Sequence, residues 1–276
     1  MNLVVQGPAL ASGDLEAIAL LAKPQAVREI APRAFRFTGA MKNEGIAPLC
    51  EARRLDHAWI EDGRRFAELE LLAMDMDSTL ITIECIDELG DFAGKKAEIA
   101  AITAQAMRGE IEYRESLRRR VKALAGLPET ALTEVYEQRL KLTPGADALV
   151  SACKKHRVQL LLVSGGFSFF TERLKARLGL DHTISNVLEV KDGKLTGALV
   201  GDIVDADAKA TRFRQVLASL NAGKEHSVAI GDGANDLKMM AEARISIAFR
   251  AKPVVRAQAS CALNWCGLDA VVNLFE

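Results

Sequence analysis

The segment LELLAMDMDST, Leu69 to Thr79, is an apolar run of strand length that stops at two carboxylates and two hydroxyls. Such a run bounded by polar residues reads as a buried strand. A strand ending at Asp75 pushes a carboxylate into the crevice outside the carboxyl edge of an open α/β sheet, where ligands of that architecture bind. Asp77, two residues on, can face the same crevice. Three further apolar runs, QLLLVSG from Gln159, SVAIGD from Ser227 and SIAF from Ser246, are each followed by helix-compatible sequence. The alternation predicts a mostly parallel sheet with helices on both faces.

Outward from these strands the rhythm changes in three places. Residues 84–143 are helical in pattern and far longer than an ordinary crossover, so they predict a helical cap inserted after the first core strand. Residues 187–204 alternate and carry Asp192-Gly193, the signal of a tight hairpin, which predicts a β flap. Residues 1–68 read as a strand (NLVVQG), a helix (DLEAIALLAK), a strand (AFRFTG) and a helix over about 47–60, a small N-terminal α/β domain ahead of a core spanning 69–276.

The 276 residues leave room for one large domain and a smaller companion. Lys and Arg number 36 against 37 Asp and Glu, so no global field points to nucleic acid or an anionic membrane, and small-molecule partners are expected. The five cysteines are scattered and without CxxC spacing, which fits reduced thiols in a cytosol. No stretch approaches the roughly 18 apolar residues of a membrane span, and the start lacks a signal-peptide pattern. A cytoplasmic protein is expected. The four histidines stand apart, with no paired metal-binding spacing.

Four segments carry candidate chemistry. Asp75 and Asp77 could be helix-capping residues, because Asp, Ser and Thr are preferred where a strand turns into a helix. In GDGAND, 231–236, Asp232 ends a strand while Asn235 and Asp236 open the next helix. Asp75, Asp77 and Asp232 suit a hard cation such as Mg²⁺, which takes a few carboxylates, carbonyls and waters. SGGFS, 164–168, follows a strand and is expected to open a helix with its hydroxyl and N–H groups facing an anion. Lys209 falls on the apolar stripe of Phe213, Val216 and Leu217 in the first turn of a helix. The helix dipole disfavours a cation there, so either an anion lies nearby or the lysine stem snorkels to water. Hydrolysis of a phosphate monoester requires acceleration of up to ~10²¹-fold, about 28 kcal/mol of barrier. A covalent step, a metal and fixed positive charge must then act together.

DMDST, strand-terminal Ser164, Lys209 and GDGAND, in this order and on these elements, resemble the four motifs of the haloacid dehalogenase (HAD) superfamily of phosphatases. The fold this implies is a Rossmann-like HAD core. Within it ECIDELG (84–90), SLRRRV (116–121), VSGGF, KDGKLTG and GDGANDLKM resemble the phosphoserine phosphatase family. The resemblance implies that Asp75 attacks phosphorus and that Asp77 protonates the leaving oxygen and then activates water. It also implies that Mg²⁺ is held by Asp75, the Asp77 carbonyl and Asp232, supported by Asn235 and Asp236. Ser164, Gly165 and Lys209 would bind the phosphoryl oxygens, Glu84 the ammonium and Arg120 the carboxylate of a phosphoserine substrate, with Tyr113 lining the same pocket. Residues 1–68 resemble, in shorter form, the ACT-like modules of bacterial members, whose role here could be dimerisation, feedback sensing of an amino acid, or neither, and a homodimer is compatible with that. Two rivals stand beside this reading. One is a related phosphatase or phosphotransferase acting on another small phosphomonoester such as phosphohomoserine. The other is a receiver-type signalling domain, against which Asp77 argues, because it would discharge the phosphoaspartate that a switch must keep.

Overall fold

Two sheets organise the computed structural model, which describes residues 1–276. The first unit runs β1 (Asn2–Gln6), α1 (Ser12–Ala22), β2 (Ala26–Ala31), β3 (Ala34–Thr38), α2 (Ile46–Ala52) and β4 (Asp56–Ile60). Its strands pair antiparallel in the order β2-β3-β1-β4, a βαββαβ unit of ferredoxin-like topology. Strand alternation divides the faces. Leu3, Val5 and Phe37 pack with Ile18, Ala22 and Ile46 of the helices, whereas Val4, Ala58 and Ile60 join the large core of the second unit.

This corrects the expected helix over 47–60. The helix ends at Ala52, Arg54 takes a left-handed φ of 55°, and Asp56–Ile60 pairs with β1. A left-handed residue breaks a right-handed helix, after which Ala58 and Ile60 are buried as residues of a strand instead.

The second unit begins with β5 (Leu71–Asp75) and continues through four cap helices, α3 (Cys85–Phe92), α4 (Lys96–Met107), α5 (Tyr113–Ala123) and α6 (Thr130–Glu134). It then runs α7 (Ala146–His156), β6 (Gln159–Phe167), α8 (Ser168–Leu178), β7 (His182–Lys191), β8 (Lys194–Val200), α9 (Ala206–Ser219), β9 (Ser227–Gly231), α10 (Leu237–Glu242), β10 (Ile245–Phe249), α11 (Pro253–Arg256) and β11 (Cys261–Leu263). The sheet order is β11-β10-β9-β5-β6-β7-β8, parallel throughout except where β8 returns against β7. The chain moves outward from β5 to β8 and then comes back to β9 on the other side of β5. The order therefore reverses between β5 and β9, and the crevice beyond that pair is where a ligand belongs.

Asp192 and Gly193 both have positive φ, as a two-residue hairpin of the primed kind requires. The hairpin is tied to the cap, since Gly126 N–H donates to Leu195 O, Leu195 N–H to Leu127 O and Glu129 N–H to Gly193 O. The two units are joined as tightly. Buried Asp56 accepts from the backbone N–H groups of Asn264, Trp265 and Cys266 at 2.6–3.3 Å, and buried Arg36 donates to the carbonyls of Asn273 and Phe275. No helix is long and apolar enough to cross a membrane.

Candidate active site

Asp75 is the last residue of β5 and is almost wholly buried. Lys209, on the inward stripe of α9, donates from Nζ to Asp75 Oδ1 at 2.5 Å and to Asp236 Oδ1 at 2.7 Å. Of the two sequence readings of this lysine, the structure selects the anion-paired one: the side chain is fully buried rather than snorkelling. Burial alone would lower its pKa, but Asp236 and Asp75 reverse the effect and hold the ammonium charged.

Carboxylates outnumber that one ammonium. Burial raises the Asp75 pKa well above the usual range despite Lys209, with Asp236, Asp232 and Asp77 adding to the rise. Burial and the charges of Asp236 and Glu84 push Asp232 up to about 7. Asp77 is also pushed up to about 7 by burial and Glu84, although the Cys85 N–H donates to its Oδ1 at 3.0 Å. Carboxylate oxygens of Asp75, Asp232 and Asp236 lie within 4.8 Å of one another. Negative charge this concentrated, offered entirely by oxygen donors, fits a hard divalent cation. Both oxygens of Asp236 are already engaged, Oδ1 by Lys209 and Oδ2 by the Gly233 N–H at 3.1 Å. That leaves Asp75 and Asp232 the freer carboxylates, while the Asp77 side chain is turned to Cys85.

The loop after β5 brings the cap to this centre. Ser78 adopts a left-handed φ of 58°, which folds the chain back, and its Oγ donates to Glu84 Oε1 at 2.7 Å. Glu84 stands at the N-cap position of α3, immediately before its first turn.

The SGG segment departs from expectation. β6 continues through Phe167 and the helix starts only at Ser168, with the pairing to β7 slipping between Val163 and Phe167. Ser164 to Gly166 are thus an irregular strand end rather than a helix N-terminus. The Gly166 N–H donates to Ser164 Oγ at 2.8 Å. A Cβ at Gly165 would stand 2.2 Å from the Tyr113 hydroxyl, and one at Gly166 would stand 2.7 Å from Asp77 Oδ2, so only glycine lets cap and acid approach this closely. Buried Asn186 fixes the segment, donating to Gly165 O while accepting from the Val204 N–H, both at 2.8 Å.

A cavity of about 1000 Å³ gathers Asp75, Asp77, Glu84, Arg120, Gly165, Asp232 and Asn235 in its lining, with Tyr113 from the cap. Ser164 and Lys209 are fully buried behind that lining. Every site residue expected from the sequence therefore lies in or directly behind one cavity. Sequence reasoning missed Ser78, Asn186, Arg114, which bridges cap to core through a 2.6 Å ion pair with Asp205, and Ser116, which lines the cavity. The serine after DMD was a signal for Ser78, whereas Asn186 and Arg114 act through partners far along the chain.

The haloacid dehalogenase-like hydrolase model matches residues 72–241, and a domain of unknown function (DUF4072) matches residues 3–45. The phosphoserine phosphatase of Polaromonas sp. is 52% identical over 217 residues, covering 77% of this chain and 92% of that protein. The one from Haemophilus influenzae is 44% identical over 222 residues, covering 80% of this chain and 70% of its own length. Among solved structures, a probable phosphoserine phosphatase from Vibrio cholerae superposes with a TM-score of 0.87 at 35% identity, over 99% of this chain and 85% of that one. A substrate-bound phosphoserine phosphatase complex gives 0.71 at 35% identity, over 75% and 99%. The chain belongs to the haloacid dehalogenase-like hydrolase family and, within it, to the group whose curated members are phosphoserine phosphatases.

Proposed function

We propose that this chain is a Mg²⁺-dependent phosphatase that hydrolyses O-phospho-L-serine to serine and phosphate through an aspartyl-phosphate on Asp75. The observation that carries the proposal is the cavity itself. It joins Asp75, backed by Lys209, to Glu84 and to Arg120, whose buried Nε has no protein partner. An anion and a cation held beside a phosphoryl-transfer centre match the ammonium and carboxylate of an amino-acid phosphomonoester.

A carboxylate oxygen of Asp75 attacks phosphorus, the bond to the serine oxygen breaks, and Asp77 gives that oxygen its proton. Asp77 then takes a proton from water, whose oxygen attacks the phosphorus of the aspartyl-phosphate and regenerates Asp75. Lys209, itself fully buried, keeps a positive charge against the reacting oxygens. Mg²⁺, which Asp75, the Asp77 carbonyl and Asp232 would hold, supplies charge neutralisation at the phosphoryl oxygens. Such a reaction would be the last step of serine biosynthesis, in the cytoplasm.

A panel of phosphomonoesters assayed with the purified protein tests the proposal. Phosphoserine should exceed phenyl phosphate in kcat/KM by at least tenfold, with activity lost in Asp75→Asn. Equal rates on both would refute the substrate while leaving the family intact.

A further inference from the structure

Resting on the phosphoserine reading, we propose that Ser116 is a specificity residue whose hydroxyl donates to the substrate carboxylate beside Arg120. Six buried side-chain polar atoms in this structure have no hydrogen-bond partner, and only Ser116 Oγ and Arg120 Nε belong to residues that line the cavity. The two residues stand four apart on α5, so they share one helix face. Ser116 is 1% exposed. A serine inside a helix ordinarily returns its hydroxyl to the carbonyl four residues back. Here the helical N–H bond to Glu112 O is made, but the hydroxyl has no partner.

An unpaired buried hydroxyl destabilises the fold that carries it. It is understandable at a place where a ligand completes the bond. Along the same face Tyr113, three residues earlier, reaches the Gly165 loop at the phosphoryl end. Ser116 and Arg120 therefore meet the part of the substrate remote from phosphorus. Arg120 selects an anion there, and a carboxylate oxygen has lone pairs to accept from the hydroxyl as well as from the guanidinium. The ammonium belongs instead to Glu84, which Ser78 holds in place.

The test compares wild type and Ser116→Ala on phosphoserine and on phosphoethanolamine, which keeps the ammonium but lacks the carboxylate, together with the melting temperature of each protein. Losing a hydrogen bond to a charged group should raise KM for phosphoserine about tenfold or more. The phosphoserine kcat and the phosphoethanolamine kcat/KM should stay within about twofold, and the melting temperature should not fall. Equal losses on both substrates, a loss confined to phosphoethanolamine, or a lowered melting temperature with KM unchanged would each overturn the assignment. A wild type that does not prefer phosphoserine would overturn the parent reading as well, and shows as such before any variant is compared.

Discussion

Replacing Lys209 with methionine keeps an unbranched side chain only one heavy atom shorter and removes the ammonium that touches both Asp75 and Asp236. All three side chains are buried, so the two carboxylates would face each other without a counter-charge. Deleting one partner of a buried ion pair costs about 3–5 kcal/mol, because the remaining charge is stranded. At about 2–4 °C per kcal/mol for a chain near this size, the melting temperature should fall by roughly 6–20 °C. Adding Asp236→Asn to Lys209→Met removes one stranded charge and should recover part of that loss, since contacting residues do not act additively. Saturating Mg²⁺ should raise the melting temperature of the single variant more than that of wild type. Thermal unfolding with and without the cation measures all of this, and kcat should fall by about 10²–10³ in parallel. A single variant that melts within 2 °C of wild type, or a double variant no more stable than the single, would refute the picture of one lysine balancing crowded carboxylates.

Gly165→Ala should impair activity because its Cβ meets the Tyr113 hydroxyl, whereas the next atom, Cζ, lies at a tolerable 3.4 Å; adding Tyr113→Phe should restore much of the rate, and no restoration would locate the fault in the backbone. Asp56→Asn should lower stability by about 1–3 kcal/mol in urea unfolding, since an amide NH₂ replaces one oxygen facing three half-buried N–H groups, and an unchanged midpoint would contradict this. Trp59 in β4 and Trp265 at the junction should report one shared fluorescence transition, and separate transitions would show two independent units. His57 has its pKa lowered by burial, against the pull of Asp56 and Glu51. The unfolded state then binds the extra proton, so this contribution to stability is complete above about pH 6.5 and is lost as pH falls below it. Urea unfolding at pH 7 and pH 5 should show a larger loss for wild type than for His57→Gln, and parallel losses would contradict the assignment.

What could be read in advance followed the physics of each segment. β5, β6, β9 and β10 are buried on both faces and announce themselves as unbroken apolar runs, and their polar tips gave Asp75, Ser164 and Asp232. Lys209 was legible because a charge on an apolar stripe demands a partner. β2 (AVREIA) was not, since it is a mostly exposed edge strand, held by pairing with β3 and by Ile30 alone against the large core. β4 was hidden because its apolar spacing continues that of α2 until the left-handed turn at Arg54. β11 is three residues long and depends on β10. Asn186 and Ser116 could not be singled out at all, because an amide clamping a loop and a hydroxyl without a partner are facts of tertiary placement. Residues 1–68 do form a small unit with an antiparallel sheet, and one face of that sheet is packed into the core of the second unit.

Phosphate is proposed to pass through a covalent bond to Asp75. Rapid acid quenching of the enzyme during turnover of phosphoserine carrying radiolabelled phosphate, followed by peptide mapping, examines it directly. Hydroxylamine-sensitive label is expected on the peptide containing Asp75 and none in Asp75→Asn. Label on another residue, or phosphate release that persists in Asp75→Asn, would contradict it.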